Sequence, residues 1–166
     1  MRPEKLMLPV RGVLPIDQLL GDSEEDTKLL QQMATKARNY LEHFPWCKSI
    51  RSMYFGDGVG GIAAVFFFHI EPSMPGVDEW LWVVVGDIPS AFLVIDKSPL
   101  PSTALESYIE EMLKWVKLAE RGKSSSKVIP VHLPATPENA KLLETRLKCL
   151  RELILPQFRD AETERA

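Results

Sequence analysis

The sequence predicts a single α+β domain in two layers. Its sheet is an antiparallel four-stranded meander with a candidate fifth strand at the edge, preceded by one helix and followed by two. Three observations carry this. Between residues 49 and 95 lie four runs rich in β-branched and aromatic residues, separated by breaks holding Gly, Asp and Pro, as in strands joined by hairpins and loops. On either side of that block, apolar residues recur every three or four positions, as in amphipathic helices. Helices and strands are also segregated along the chain, which favours α+β over an alternating α/β plan. With 166 residues the chain has the size of one domain, which buries enough surface to need neither metal nor disulfide.

Residues 1–21 read as an extended N-terminal arm. Leu6, Leu8 and Val10 alternate with Met7, Pro9 and Arg11 as in a short edge strand, and residues 15–20 read as one helical turn ending at Gly21. Asp22 or Ser23 then caps a long helix with Glu24, Glu25 and Asp26 in its first turn, where the helix dipole favours acids. Leu30, Met33, Ala37, Tyr40, Leu41 and Phe44 form its apolar stripe, Lys28 and Lys36 lie off it, and Pro45 ends it.

Strands are expected over residues 49–55 and 62–70, around a glycine-rich turn at 56–61. A second hairpin, over residues 80–95, turns through a five-residue break at 86–90. Thr103 and Glu106 have capping-box spacing ahead of the stripe Leu105, Ile109, Met112, Val116 and Ala119, and Gly122 suits the left-handed end of that helix. Residues 128–133 read as an edge strand, confined there by Pro130. Thr136 and Pro137 open the last helix, which carries Ala140, Leu143, Leu147, Leu150 and Ile154 as far as Pro156. Leu142, Cys149 and Leu153 add a second apolar line. Residues 157–166 are expected to be a frayed, charged tail.

The central hairpin is apolar on both faces: Trp80, Trp82 and Val84 alternate with Leu81, Val83 and Val85. Such strands need cover on both sides. Helices on one face leave the other to the N-terminal arm, a partner chain or a ligand. The leading expectation is therefore a non-enzymatic protein-interaction or binding module, self-associating as a homodimer or meeting another protein.

Composition narrows the classes. A net charge of −3 argues against a nucleic-acid binder; Lys141, Lys148 and Arg151 lie near one another on the last helix, but Glu138, Glu144 and Glu152 are interspersed. Cys47 and Cys149 have neither disulfide-framework nor zinc spacing and read as two buried thiols. No signal-peptide core and no membrane-length apolar run is present, so the expected location is the cytoplasm. Nothing in the pattern calls for a cofactor or a metal.

Several fragments resemble catalytic motifs and fail on context. Residues 56–61 match G-x-G-x-x-G, yet a strand follows where a dinucleotide site requires a helix. Gly122, Lys123 and Ser124 resemble the end of a phosphate loop but leave a helix instead of entering one. Cys47 follows His43 by four residues, without an orienting group or oxyanion site. Asp78, Glu79, Asp87 and Asp96 fall at the ends of the hairpin, where acids commonly serve turns.

His69 and Glu71 share one strand face, the geometry of a proton-transfer or metal-binding pair, though no third partner is readable. The alternative function is thus a small enzyme or ligand-binding domain with a pocket between sheet and helices. His69, Glu71 and Asp78 would be its polar groups, with Trp80, Trp82 and Phe67 lining it or forming an interface. The helix–meander–helix plan is similar to that of secretion-chaperone-like and immunity-protein-like domains. This architectural likeness covers no motif and implies no activity.

Overall fold

Both apolar faces of the strands are filled from within the chain. The computed structural model describes residues 8–96 and 98–165. Strands β1 (Leu14–Pro15), β2 (Cys47–Val59), β3 (Ala63–Pro72), β4 (Trp80–Gly86) and β5 (Ile88–Val94) form one antiparallel sheet in chain order. Helix α1 (Glu24–Glu42) precedes the long strands. Helices α2 (Pro101–Ala119), α3 (Pro137–Cys149) and α4 (Leu155–Arg165) follow them. The expected α+β meander, with helices before and after it, is what the chain forms.

The layering is the first difference. Phe66, Phe68, Leu81, Val83 and Val85 pack with Leu30, Met33, Ala37 and Leu41 of α1. Val65, Phe67, Trp82 and Val84 pack on the other side with α2, α3 and α4. Helices therefore cover both faces of the sheet, and the face expected to await a partner is occupied by α1. Strand alternation supplies the two apolar sets, and the amphipathic stripe of α1 answers one of them.

The edges also differ from expectation. The fifth strand is Leu14–Pro15, paired with Tyr54 and Phe55 of β2. The expected edge strand in the arm falls partly outside the described residues; within them, Val10 is buried and irregular, and the Arg11 N–H donates to the Pro99 carbonyl. Residues 128–133 are not a strand. Val128, Ile129 and Val131 instead lie across the α2-side core as irregular chain, and Pro130 has no N–H to offer a ladder.

The β2–β3 connection is tighter than the glycine spacing suggests. Strand β2 continues through Gly56 and Gly58, and the turn falls at Gly60 to Ile62 with Gly61 at φ 79°. Likewise β4 and β5 close around Asp87 alone, whose N–H donates to the Ile62 carbonyl at 3.0 Å.

Local capping explains most helix ends. Ser23 accepts from the Asp26 N–H and Thr136 from the Asn139 N–H, while Gly122, at φ 66°, closes α2. Helix α2, however, starts at Pro101, ahead of the expected Thr103. Thr103 reaches back to the Leu100 N–H, and a distant carboxylate, Glu162 of α4, binds the Ser102 N–H and hydroxyl.

The last helix passes through Pro156. A π-helical turn (Leu150–Ile154) comes before it, with the Leu155 N–H donating to the Leu150 carbonyl, and this wider turn accommodates a residue that would otherwise break the ladder. The expected frayed tail is thus helical through Arg165, anchored by Leu155 and the fully buried Phe158. Cys47 is buried as expected, whereas Cys149 is exposed on the outer face of α3; both are free thiols.

Candidate functional site

The polar residues singled out in the sequence do not converge. His69 stacks on the Trp80 indole, with ring centres 3.9 Å apart and planes 5° from parallel. Its Nε2 is buried and lies 3.5 Å from Glu79 Oε1, within ion-pair distance but without hydrogen-bond alignment. Glu71, two residues on, turns to the neighbouring strand β2 instead, where it accepts from Ser49 Oγ at 3.1 Å and pairs with Lys48 at 3.7 Å. Asp78 lines a separate hollow of about 220 Å³ beside Trp46, Leu81 and Phe92, on the α1 side of the sheet. Phe67 and Trp82 have no exposed surface, and the Trp82 indole N–H is bound to the Ser98 carbonyl at 2.7 Å. Trp80 alone of the aromatic trio is partly exposed.

The Cys47 region is equally closed. Burial and the nearby Glu42 carboxylate push its thiol pKa up, the opposite of what an attacking thiolate needs. Trp46 instead joins Phe44 and Phe92 in an aromatic cluster at the helix–strand junction, with ring centres 4.8 to 5.4 Å apart.

A different place gathers polar groups around an apolar concavity. At the β5 edge, between α1 and α3, lies a groove of about 580 Å³. Each wall has a local cause. Lys36 sits off the apolar stripe of α1, one turn before Tyr40, and its Nζ donates to the Gly86 carbonyl at 3.0 Å. Asp87 is fixed at the tip of the β4–β5 turn, and its Oδ2 accepts from Arg146 Nε of α3 at 3.2 Å. Ile88 and Leu143 supply a buried apolar floor, and Leu133 and Leu142 stand at the mouth. Asn139 is held by the Pro134 carbonyl at 2.9 Å.

Tyr40 closes one side of the groove. Burial pushes its phenol up to about 12, while hydrogen bonding to the Phe92 backbone works the other way.

Ser90, His132 and Asp87 all line this groove, and a serine nucleophile with its base would use those residue types. Among the described residues no hydrogen bond joins them, and Asp87 is engaged by Arg146 instead. Nor do the described residues hold a group of three or more His, Cys, Asp or Glu able to share a metal ion. No helix among them is long and apolar enough to cross a membrane.

Sequence reasoning missed this groove as a site. Asp87 was visible as a turn acid, Lys36 as an off-stripe cation and Leu142 as part of a second apolar line. Nothing local announces that Arg146 meets Asp87, 59 residues away. No protein-family model, curated protein or solved structure matches this chain.

Proposed function

We propose that the protein is a non-enzymatic binding module whose working surface is the groove between α1, β5 and α3. One observation carries this: a concavity of about 580 Å³ with an apolar floor and a few converging polar groups, the usual form of a small-ligand site. The unlinked Ser90, His132 and Asp87 favour holding over turnover. A homodimer was expected because one sheet face lacked cover; α1 fills that face, so self-association loses that support. The enzyme reading built on His69, Glu71 and Asp78 fares less well, because the three sit in separate surroundings.

A thermal-shift screen of drug-sized compounds against the wild type and Leu142→Arg tests the reading. Leu142 is 57% exposed, so arginine obstructs the groove mouth without disturbing the core. Hits should stabilise the wild type, lose their effect in the variant and be recovered unchanged. Hits that stabilise both proteins equally place binding elsewhere, and hits recovered as products make the protein an enzyme.

A further inference from the structure

The groove's charges specify a ligand class, on the reading that the groove is a binding site. Lys36 and Arg146 are fixed by adjacent residues of one turn, Gly86 and Asp87, so both cations are brought to the same end of the groove. Asp87 is the one carboxylate in the lining among the described residues, against two cationic side chains, in a chain whose net charge is −3. Neither cation is saturated. Lys36 gives one of its three N–H donors to the Gly86 carbonyl. Arg146 gives Nε to Asp87, and its Nη1 reaches the Leu142 carbonyl at 3.5 Å; Nη2 has no hydrogen-bond partner among the described residues. Away from that end, Ile88, Leu143 and the half-exposed Leu133 and Leu142 make the surface apolar.

We infer that the groove takes an amphipathic monocarboxylate. The apolar body lies along Ile88, Leu142 and Leu143, and the carboxylate meets Lys36 and Arg146. One surplus positive charge matches a monoanion, because Asp87 already offsets the other. An amine would face two cations and compete for the Asp87 carboxylate with a better-placed guanidinium. A neutral alcohol would leave those charges unanswered.

Octanoate, octanol and octylamine, titrated into ¹⁵N-labelled protein, test this. Octanoate should shift the amides of Asp87, Ile88 and Leu142 and bind about tenfold more tightly than the other two, the scale of one charge-assisted hydrogen bond. Lys36→Met and Arg146→Met should each weaken octanoate about tenfold while leaving octanol unchanged. Asp87→Asn should tighten octanoate, an effect that general loosening of the groove would not produce. Equal binding of octanol, stronger binding of octylamine, or octanoate shifts elsewhere on the protein overturns the inference. If octanol or octylamine occupies the groove without preference for octanoate, the groove is still a binding site and only the ligand class is wrong. If none of the three shifts a groove residue, the binding reading fails with it.

Discussion

The Tyr108 hydroxyl of α2 donates to the Pro89 carbonyl of β5 at 2.6 Å. This bond ties the outermost strand to the helical layer on one side, while Tyr40 of α1 meets the Phe92 backbone of the same strand from the other. Two tyrosines from opposite layers thus engage polar groups of an edge strand that would otherwise invite pairing with another chain, and Pro89 removes one N–H donor outright. Tyr108→Phe keeps the ring in its fully buried place and leaves the Pro89 carbonyl without that partner. Urea denaturation should show a loss of about 1–3 kcal/mol. Unchanged stability would mean that water replaces the hydroxyl at no cost.

The same two phenols give the fold a base-sensitive side. Burial raises the pKa of both, that of Tyr40 to about 12 from an ordinary value of 10.0. Above that ordinary value the unfolded chain releases these protons while the folded chain retains them, so the folded state binds more protons and stability falls as pH rises. The contribution is therefore complete below about pH 10 and shrinks between about pH 10 and 12 for Tyr40, continuing higher for Tyr108. The buried Cys47 thiol, raised in the same direction, adds to the slope at its lower end. Denaturation midpoints measured from about pH 8 to 12 should fall less steeply in Tyr40→Phe than in the wild type. Parallel curves would remove Tyr40 from this account.

What the sequence revealed and what it hid divide by the range of the interaction. Ser23, Thr136 with Pro137, and Gly122 each act on backbone within a few residues, and each cap was legible. The doubly apolar strands were legible too, because alternation is a local pattern. Which helix covers which face was not, since the stripe of α1 is the same whether it joins α2 or opposes it. The start of α2 was misplaced because Glu162 reaches it from 60 residues away. Pro156 signalled a helix end, and only the π turn before it shows why the helix continues. The groove was hidden for the same reason: its parts come from four segments, and neither its Arg146–Asp87 ion pair nor the Lys36 bond to the Gly86 carbonyl is local. His69 and Glu71 were rightly placed on one strand, but their partners, Glu79 and Ser49, arrive from different segments and draw them apart.

Glu162 makes the last helix part of the folded unit. Its two carboxylate oxygens accept from the Ser102 N–H at 2.9 Å and the Ser102 hydroxyl at 2.5 Å, so a side chain of α4 performs the capping that Leu100 cannot. Glu162→Ala should cost about 1–2 kcal/mol, as losses of helix caps do. Ser102→Ala should overlap with it, leaving a coupling of about 0.5 kcal/mol or more in a double-mutant cycle. Protease should also cut the final helix faster in the Glu162 variant. Additive losses with wild-type proteolysis would reduce the pair to two side chains that act independently.

Gly58 sets how closely α1 approaches the sheet, and through α1 it positions the Lys36 and Tyr40 wall of the groove. A Cβ added there would stand 2.7 Å from the Ala64 Cβ on the paired strand and 2.8 Å from Leu30 Cδ2 of α1. The Leu30 methyl can swing aside, but the Ala64 methyl is fixed to its backbone, so relief must come from moving a strand or the helix. Gly58→Ala should therefore destabilise the protein by about 1–3 kcal/mol, the scale of core overpacking. Hydrogen exchange should locate the damage, with α1 amides exchanging faster while those of α2 keep their protection. Lys36 and Tyr40 ride on α1, so the variant should also weaken any ligand held in the groove, more than its loss of global stability accounts for. Wild-type exchange in α1 would show that the sheet yields instead, and the groove should then bind as before.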